Sequence, residues 1–180
     1  HPVRKVNSIY FDNIHLSAVK DNLDGINKKQ KIRVRWYDLQ NHIVDAKLEI
    51  KQKFGFQNYK IIKNIDEINN LSPKKNSDLS KLKNIVNKKL NFNENLQPTA
   101  MTSYDREYYI SNDNLIRATV DFNLQNTLLT DGKDKNINKN YFNLVLELKY
   151  DVDLDSYVRK NMNNSFRLSK NSKYVNSFFT

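Results

Sequence analysis

Arginine is scarce in this chain, and two-residue alternation would gather most of it on one side of several strands. In Lys31-Ile-Arg-Val-Arg-Trp-Tyr37, Arg33 and Arg35 share a face, and Ile32, Val34 and Trp36 share the other. Lys47-Leu-Glu-Ile-Lys-Gln-Lys53 sets Lys47, Glu49, Lys51 and Lys53 against Leu48 and Ile50. Arg106 lies between Tyr104 and Tyr108, Arg117 lines up with Thr119 and Asp121, and Glu147 shares a side with Lys149 against Leu144, Leu146 and Leu148. Guanidinium forks grip phosphate oxygens in pairs, lysines add point charges, and one or two carboxylates can hold a divalent metal that bridges phosphates. Such a face could bind or transfer phosphoryl groups.

Any one of these strands alone fits a sheet with its charged side in water and its apolar side on helices. Composition argues otherwise for the set. The chain has 180 residues with 23 Lys, 28 Asn and only seven Arg, and its formal net charge is +10. A solvated face drawn from that pool should be mostly Lys and Asn, yet four of the seven arginines occupy these positions beside two glutamates. The lysine excess itself looks like coding bias, so the net charge supports an anionic partner only modestly. If the charged sides are enclosed, Glu49 and Glu147 cannot neutralise so many cations, and buried unpaired charge is costly. The excess then calls for a polyanion.

Eight segments carry the alternation and the β-branched and aromatic residues of strands: Val3–Asp12, Lys31–Asp38, Asp45–Lys53, Asn58–Ile65, Ala100–Ser111, Leu115–Leu124, Tyr141–Asp151 and Lys173–Phe179. Helices are expected at Ile14–Leu23, closed by Gly25, at Ser77–Leu90 behind a Ser77 cap, and at Asp153–Asn161. Thr130–Asn140 has no apolar period and suggests a solvated loop. Eight strands suffice to close a barrel, so the expected fold is α+β, an antiparallel eight-stranded β-barrel with helices packed outside and the charged sides lining a tunnel. The length suits one domain over 1–180.

Other chemistries are poorly served. With no Cys and three His, disulfide frameworks, zinc fingers and thiol redox sites are excluded, and three scattered Gly leave no phosphate-cradling loop or dinucleotide fingerprint. No apolar run approaches a membrane span and no signal-peptide pattern opens the sequence, which fits a soluble protein of a reducing compartment. His15 and His42 suit surface positions. Tyr104, Tyr108, Tyr109 and Trp36 could serve as nucleic-acid stacking platforms, but their interleaving with core positions favours a packing role, and no nucleic-acid partner is expected.

At these residues the sequence resembles the polyphosphate-polymerase domain of the vacuolar transporter chaperone (VTC) proteins, within the triphosphate tunnel metalloenzyme, or CYTH-like, superfamily. The matching motifs are Val6-Asn-Ser-Ile-Tyr-Phe-Asp12, Lys31–Tyr37, Leu48-Glu-Ile-Lys51, Ser103-Tyr-Asp-Arg106, Ile116–Asp121, Leu146-Glu-Leu-Lys-Tyr150 and Ser169-Lys-Asn-Ser-Lys-Tyr174, in the family's order over nearly the whole chain. The resemblance implies a tunnel in which ATP, triphosphate or polyphosphate meets Arg33, Arg35, Arg106 and Arg117 as phosphate-binding arginines. Lys51 and Lys149 would stand beside them, and Glu147, with Glu49 as a second candidate, would bind Mn²⁺ or Mg²⁺. Lys170 and Lys173 match a C-terminal basic pair at one tunnel mouth. Lys60 or Lys63 should supply the lysine of the strand after Glu49, and Lys53 is counted with the phosphate contacts although its place at a strand end also suits solvent.

The implied activity is an ATP-dependent polyphosphate polymerase. A triphosphatase of the same fold and a non-catalytic polyphosphate-binding module are the alternatives. The resemblance begins after a strand and helix with which the family ordinarily opens, so a domain lacking them is expected. The implied location is the cytoplasm or the cytoplasmic face of a membrane, with a membrane protein as a partner.

Overall fold

Strand β1 (Arg4–Asp12) lies in the middle of the sheet, because both of its sides are covered and every residue from Val6 to Asp12 is buried. A computed structural model gives the structure of residues 2–55, 57–91, 95–129, 139–141, 144–162 and 168–179. On one side of β1 follow β2 (Lys28–Tyr37), β3 (Lys47–Phe54) and β4 (Gln57–Asn64), and on the other β5 (Gln97–Ile110) and β6 (Arg117–Leu128). Two short strands, β7 (Lys139–Tyr141) and β8 (Val145–Lys149), occupy the far edge of β6 in succession, β7 opposite Leu124–Asn126 and β8 opposite Arg117–Asp121. All pairings are antiparallel.

The result is α+β, with a curled antiparallel sheet that forms a half-barrel. Among the described residues no ladder joins β4 to β7 or β8. The curl is helped by a bulge in β6. Ser103 pairs with Gln125 but Asp105 pairs with Phe122, so Asn123 and Leu124 together oppose Tyr104, and Asn123 takes a left-handed backbone (φ 53°). That extra residue turns Asp121 and Leu124 to the same side.

The apolar side of β1–β3 makes the main core. Ile9, Phe11, Ile32, Val34, Trp36, Leu48 and Ile50 pack against Leu82, Val86 and Leu90 of α2 (Asn76–Leu90). Each such burial is worth roughly 1.5–3 kcal/mol. Helix α2 therefore lies outside the charged side, as expected.

Two other helices correct the expectation that all helices pack outside. Helices α1 (Ser17–Leu23) and α4 (Lys173–Phe179) cover one end of the charged side, where Val19 and Tyr174 pack on Tyr10 and Ala100. The segment 173–179, expected as a strand, is α4. Seven residues are too few to separate period two from period 3.6, and Tyr174 and Phe178, four apart, stack edge-on at 5.5 Å. Ser172 caps the helix through its Oγ, which accepts from the Val175 N–H at 3.4 Å.

Other boundaries differ for local reasons. Helix α1 starts at Ser17, because Asp12 accepts from the N–H groups of Ala18 and Val19, Asn13 accepts from Ser17, and Leu16 is left-handed (φ 53°). Helix α2 starts at Asn76, with Lys75 rather than Ser77 at its cap and no side-chain cap bond. The expected strand 141–151 is divided between β7 and β8, and 139–140, expected in a loop, belong to β7. Residues 130–138 of that loop lie outside the described residues. Helix α3 (Asp155–Met162) follows a 3-10 turn at Val152–Leu154. Among the described residues no helix is long and apolar enough to cross a membrane.

Candidate phosphate-binding site

Strand register decides which side chains meet. Tyr10 pairs with Arg33, Arg33 with Glu49, and Glu49 with Ile62, so these four share one face. Lys31, Lys51 and Lys60 form the next row, and Arg35 is flanked by Lys47 and Ser8. On the other half, Arg106 pairs with Asp121, Thr119 with Glu147, and Arg117 with Lys149. Arg33, Arg35, Lys51, Lys60, Arg106, Arg117, Lys149, Glu49 and Glu147 therefore all stand on a single face of the sheet.

The β2–β4 half is organised around Glu49. Arg33 donates from Nε at 2.8 Å and from Nη2 at 2.5 Å to Oε2, and Lys60 Nζ lies 2.9 Å from Oε1. Arg35 Nη1 is 3.9 Å from the same carboxylate. Burial would raise the Glu49 carboxyl, but Arg33 and Arg35 outweigh it and bring its pKa down to about 2. One carboxylate thus faces three cations. Lys51 carries the surplus: burial, then Arg33 and Arg35, push its ammonium down to about 8. Tyr10 accepts from Arg33 Nη1 at 3.4 Å, and although burial opposes it, the arginines hold its phenol below the ordinary value.

The β5–β8 half is organised around Asp121, which is fully buried. Arg106 donates to both its oxygens, at 2.5 and 2.8 Å, and Lys173 of α4 reaches Oδ2 at 2.6 Å. Burial works against the charge on Asp121, yet Arg106 and Lys173 keep its pKa lowered. Tyr104 carries Lys173 over its ring at 4.6 Å and Arg106 at 5.3 Å. Burial pushes its phenol up to about 12. Arg117 is exposed beside Lys149, toward the end of the sheet away from α1 and α4.

Three expected residues fall elsewhere. Lys63 pairs with Leu48 on the opposite face, where its Nζ donates to the Lys89 carbonyl at the end of α2, so Lys60 is the lysine of β4 on the charged side. Lys53 stands on the charged side but exposed at the end of β3. Lys170 is exposed in the segment before α4. Of the aromatic candidates, Trp36 and Tyr104 are buried and offer no stacking surface. His15 and His42 are exposed. Sequence reasoning did not find Asp121 as the anchor of Lys173, nor the buried hydroxyls of Ser8 and Thr102 on the same face; the polar pair Asn7-Ser8 inside an otherwise apolar strand was the only signal.

Among the described residues no three acidic or histidine side chains gather to hold a metal. Glu49 does not fit a metal ligand, because both of its oxygens are taken by cations. Glu147 does fit one. It is half-exposed, its nearest cations are 3.6 and 3.9 Å away, and the unpaired buried hydroxyl of Thr119 lies across from it. A Mg²⁺-like ion commonly takes one carboxylate and completes its shell with phosphate oxygens and water.

Comparison with known proteins addresses the family and the fold. A family model described as the VTC domain matches residues 2–179. No curated protein matches the sequence. Solved structures with a similar fold include that of a candidate adenylate cyclase from Bacillus halodurans, with a TM-score of 0.51 at 10% identity, covering 99% of this chain and 83% of that one. At that identity the likeness concerns the fold. With the family model running over nearly its whole length, this chain belongs to the VTC domain family.

Proposed function

We propose that the charged face binds the triphosphate of ATP and transfers its γ-phosphoryl group to the end of a polyphosphate chain. The observation that carries this reading is the imbalance on one face: Glu49, Asp121 and Glu147 are too few for the arginines and lysines that register brings beside them. Arg33, Arg35, Arg106 and Lys173 are largely withdrawn from solvent while Lys51, Lys60, Arg117 and Lys149 stand exposed around them, and so many like charges gathered on one face favour an anion among them. Arg33, Arg35, Arg106 and Arg117 are the phosphate contacts, with Lys51, Lys60, Lys149 and Lys173 adding charge. A wall closed into a full tunnel belongs to the same reading.

Phosphoryl transfer asks little covalent work of a protein, since positioning and charge stabilisation supply most of the rate. The bond from the γ-phosphorus to its β,γ-bridging oxygen breaks, a bond from a terminal polyphosphate oxygen to the γ-phosphorus forms, and ADP leaves. The guanidinium groups hold the chain in line and offset charge on the equatorial oxygens. Glu147 is the residue that would hold Mn²⁺ or Mg²⁺, which would supply further neutralisation of phosphate charge.

Incubating the protein with ATP and Mn²⁺ tests the proposal. Long-chain polyphosphate is the expected product. Release of inorganic phosphate without polymer would assign the face to a triphosphatase, with water as acceptor. Binding with no turnover would leave a polyphosphate-binding module, a reading favoured by the outer edge of β4, which pairs with no further strand among the described residues.

A further inference from the structure

Ser8, Thr102 and Arg35 stand side by side across three strands, since Ser8 is the direct partner of Arg35 on β2 and of Thr102 on β5. All three belong to the charged face. Ser8 is 0% and Thr102 1% exposed, and neither hydroxyl has a hydrogen-bond partner; nor does the Nε of Arg35. A buried donor without an acceptor destabilises the fold, so three of them in one row call for a reason. The next residue of the row, Asn126, also leaves its Oδ1 unpaired, an acceptor suited to water or a protonated oxygen.

The position of the row supplies the reason. The cations divide into one group on β2–β4, around Glu49, and another on β5–β8, around Asp121. An anion held by both must pass over β1 and β5. There the hydroxyls of Tyr10 and Tyr104 already face Arg33 and Arg35, which leaves those of Ser8 and Thr102. The Arg35 Nη2 contact to the Tyr104 hydroxyl reaches from β2 to β5 across β1 and so roofs the row, but at 3.5 Å it is at the outer limit of a hydrogen bond and is readily exchanged.

We propose that the neutral hydroxyls of Ser8 and Thr102, beside the Nε–H of the Arg35 guanidinium, form a donor ledge for the middle phosphoryl group of a linear triphosphate, admitted when the Arg35–Tyr104 contact opens. This rests on the phosphate-binding reading above and names the part of that site which bridges its two cationic halves. The two hydroxyls suit that place, since they orient the chain without adding to the cation repulsion of the free protein.

Calorimetric titration of the full chain with inorganic tripolyphosphate, alongside thermal melts without ligand, tests the ledge. The pair Ser8→Ala/Thr102→Val should bind at least about tenfold more weakly, as expected for the loss of even one hydrogen bond to a charged group, while Thr102→Ser, which keeps its hydroxyl, stays within about twofold of wild type. Without ligand, the double variant should melt no lower than wild type, because two unpaired hydroxyls are gone. Unchanged affinity in the double variant overturns the ledge, and so does a lowered melting temperature, which would mark the hydroxyls as structural. Arg33→Ala separates the two readings. If it loses affinity while the double variant does not, the phosphate site stands without the ledge; if wild type does not bind at all, both fall.

Discussion

Arg33 grips Glu49 from the neighbouring strand through two nitrogens, Nε at 2.8 Å and Nη2 at 2.5 Å, with both side chains almost wholly out of solvent. This pair is the fixed point of the β2–β4 half, since Arg35 and Lys60 are arranged around the same carboxylate. Replacing it should therefore change the free protein more than the loaded one.

Glu49→Gln leaves Arg33 buried without a counter-ion and is expected to cost about 3–5 kcal/mol in the absence of anion. Tripolyphosphate should restore part of the loss. The dependence on pH follows from the depressed carboxyl. Its contribution to stability is complete above the ordinary value of 4.5 and disappears as pH falls toward about 2, so the gap between wild type and variant in acid-dependent urea unfolding should close over that interval. A gap that persists at pH 2 would show that the pair contributes little.

Lys51 has the opposite behaviour. With its ammonium pulled down to about 8, the site loses positive charge as pH rises through that value, and tripolyphosphate binding should weaken there. Bound anion favours the charged form, so binding near pH 8.5 should take up protons, detectable as a binding enthalpy that varies with buffer ionisation. Lys51→Arg should remove the uptake. Without anion, Lys51 should add to stability as pH rises between about 8 and 10.5, because the unfolded chain there holds more protons.

Asp121 ties α4 to the sheet through Lys173 while holding Arg106. Asp121→Asn is expected to lower the melting temperature of the free protein and to increase the rise in melting temperature that tripolyphosphate produces, because two cations lose their internal partner. Thermal melts with and without ligand measure both. An equal rise in the two proteins would contradict a shared role for Arg106 and Lys173 in anion binding.

The placement of Lys60 and Lys63 on opposite faces gives a sharp comparison. Lys60→Ala should weaken tripolyphosphate binding at least about tenfold, in the range of a lost charge-assisted contact, and Lys63→Ala should leave it unchanged. Glu147→Gln should fold normally and reduce turnover with Mn²⁺ more than it reduces anion affinity, which a split between kcat and KM would show.

The charged face was legible because strand period is two: Arg33, Arg35, Glu49, Lys51, Arg106, Arg117, Glu147 and Lys149 needed only alternation to be placed together. Which cation meets which anion was legible only in part: alternation offers Asp121 either Arg117 or Arg106 as a partner, or a metal, and the structure pairs it with Arg106, while Lys173 reaches it from α4 and the partners of Glu49 come from neighbouring strands. Helix α4 escaped because seven residues carry both periods, and its cap, Ser172, looked like one more polar residue. Lys60 and Lys63 could not be told apart without the β3–β4 register, which a one-residue shift would have reversed. The ledge residues were invisible for a simpler reason: a serine or threonine in a strand is ordinary until its burial and lack of a partner are seen.

The most direct measurement is the structure of the protein crystallised with tripolyphosphate and Mn²⁺. The anion is expected on the charged face, in contact with Arg33, Arg35 and Arg106 and extending toward Arg117, with the metal at Glu147. An anion bound instead among the exposed lysines of α2, or none on the charged face at saturating concentration, would contradict the assignment.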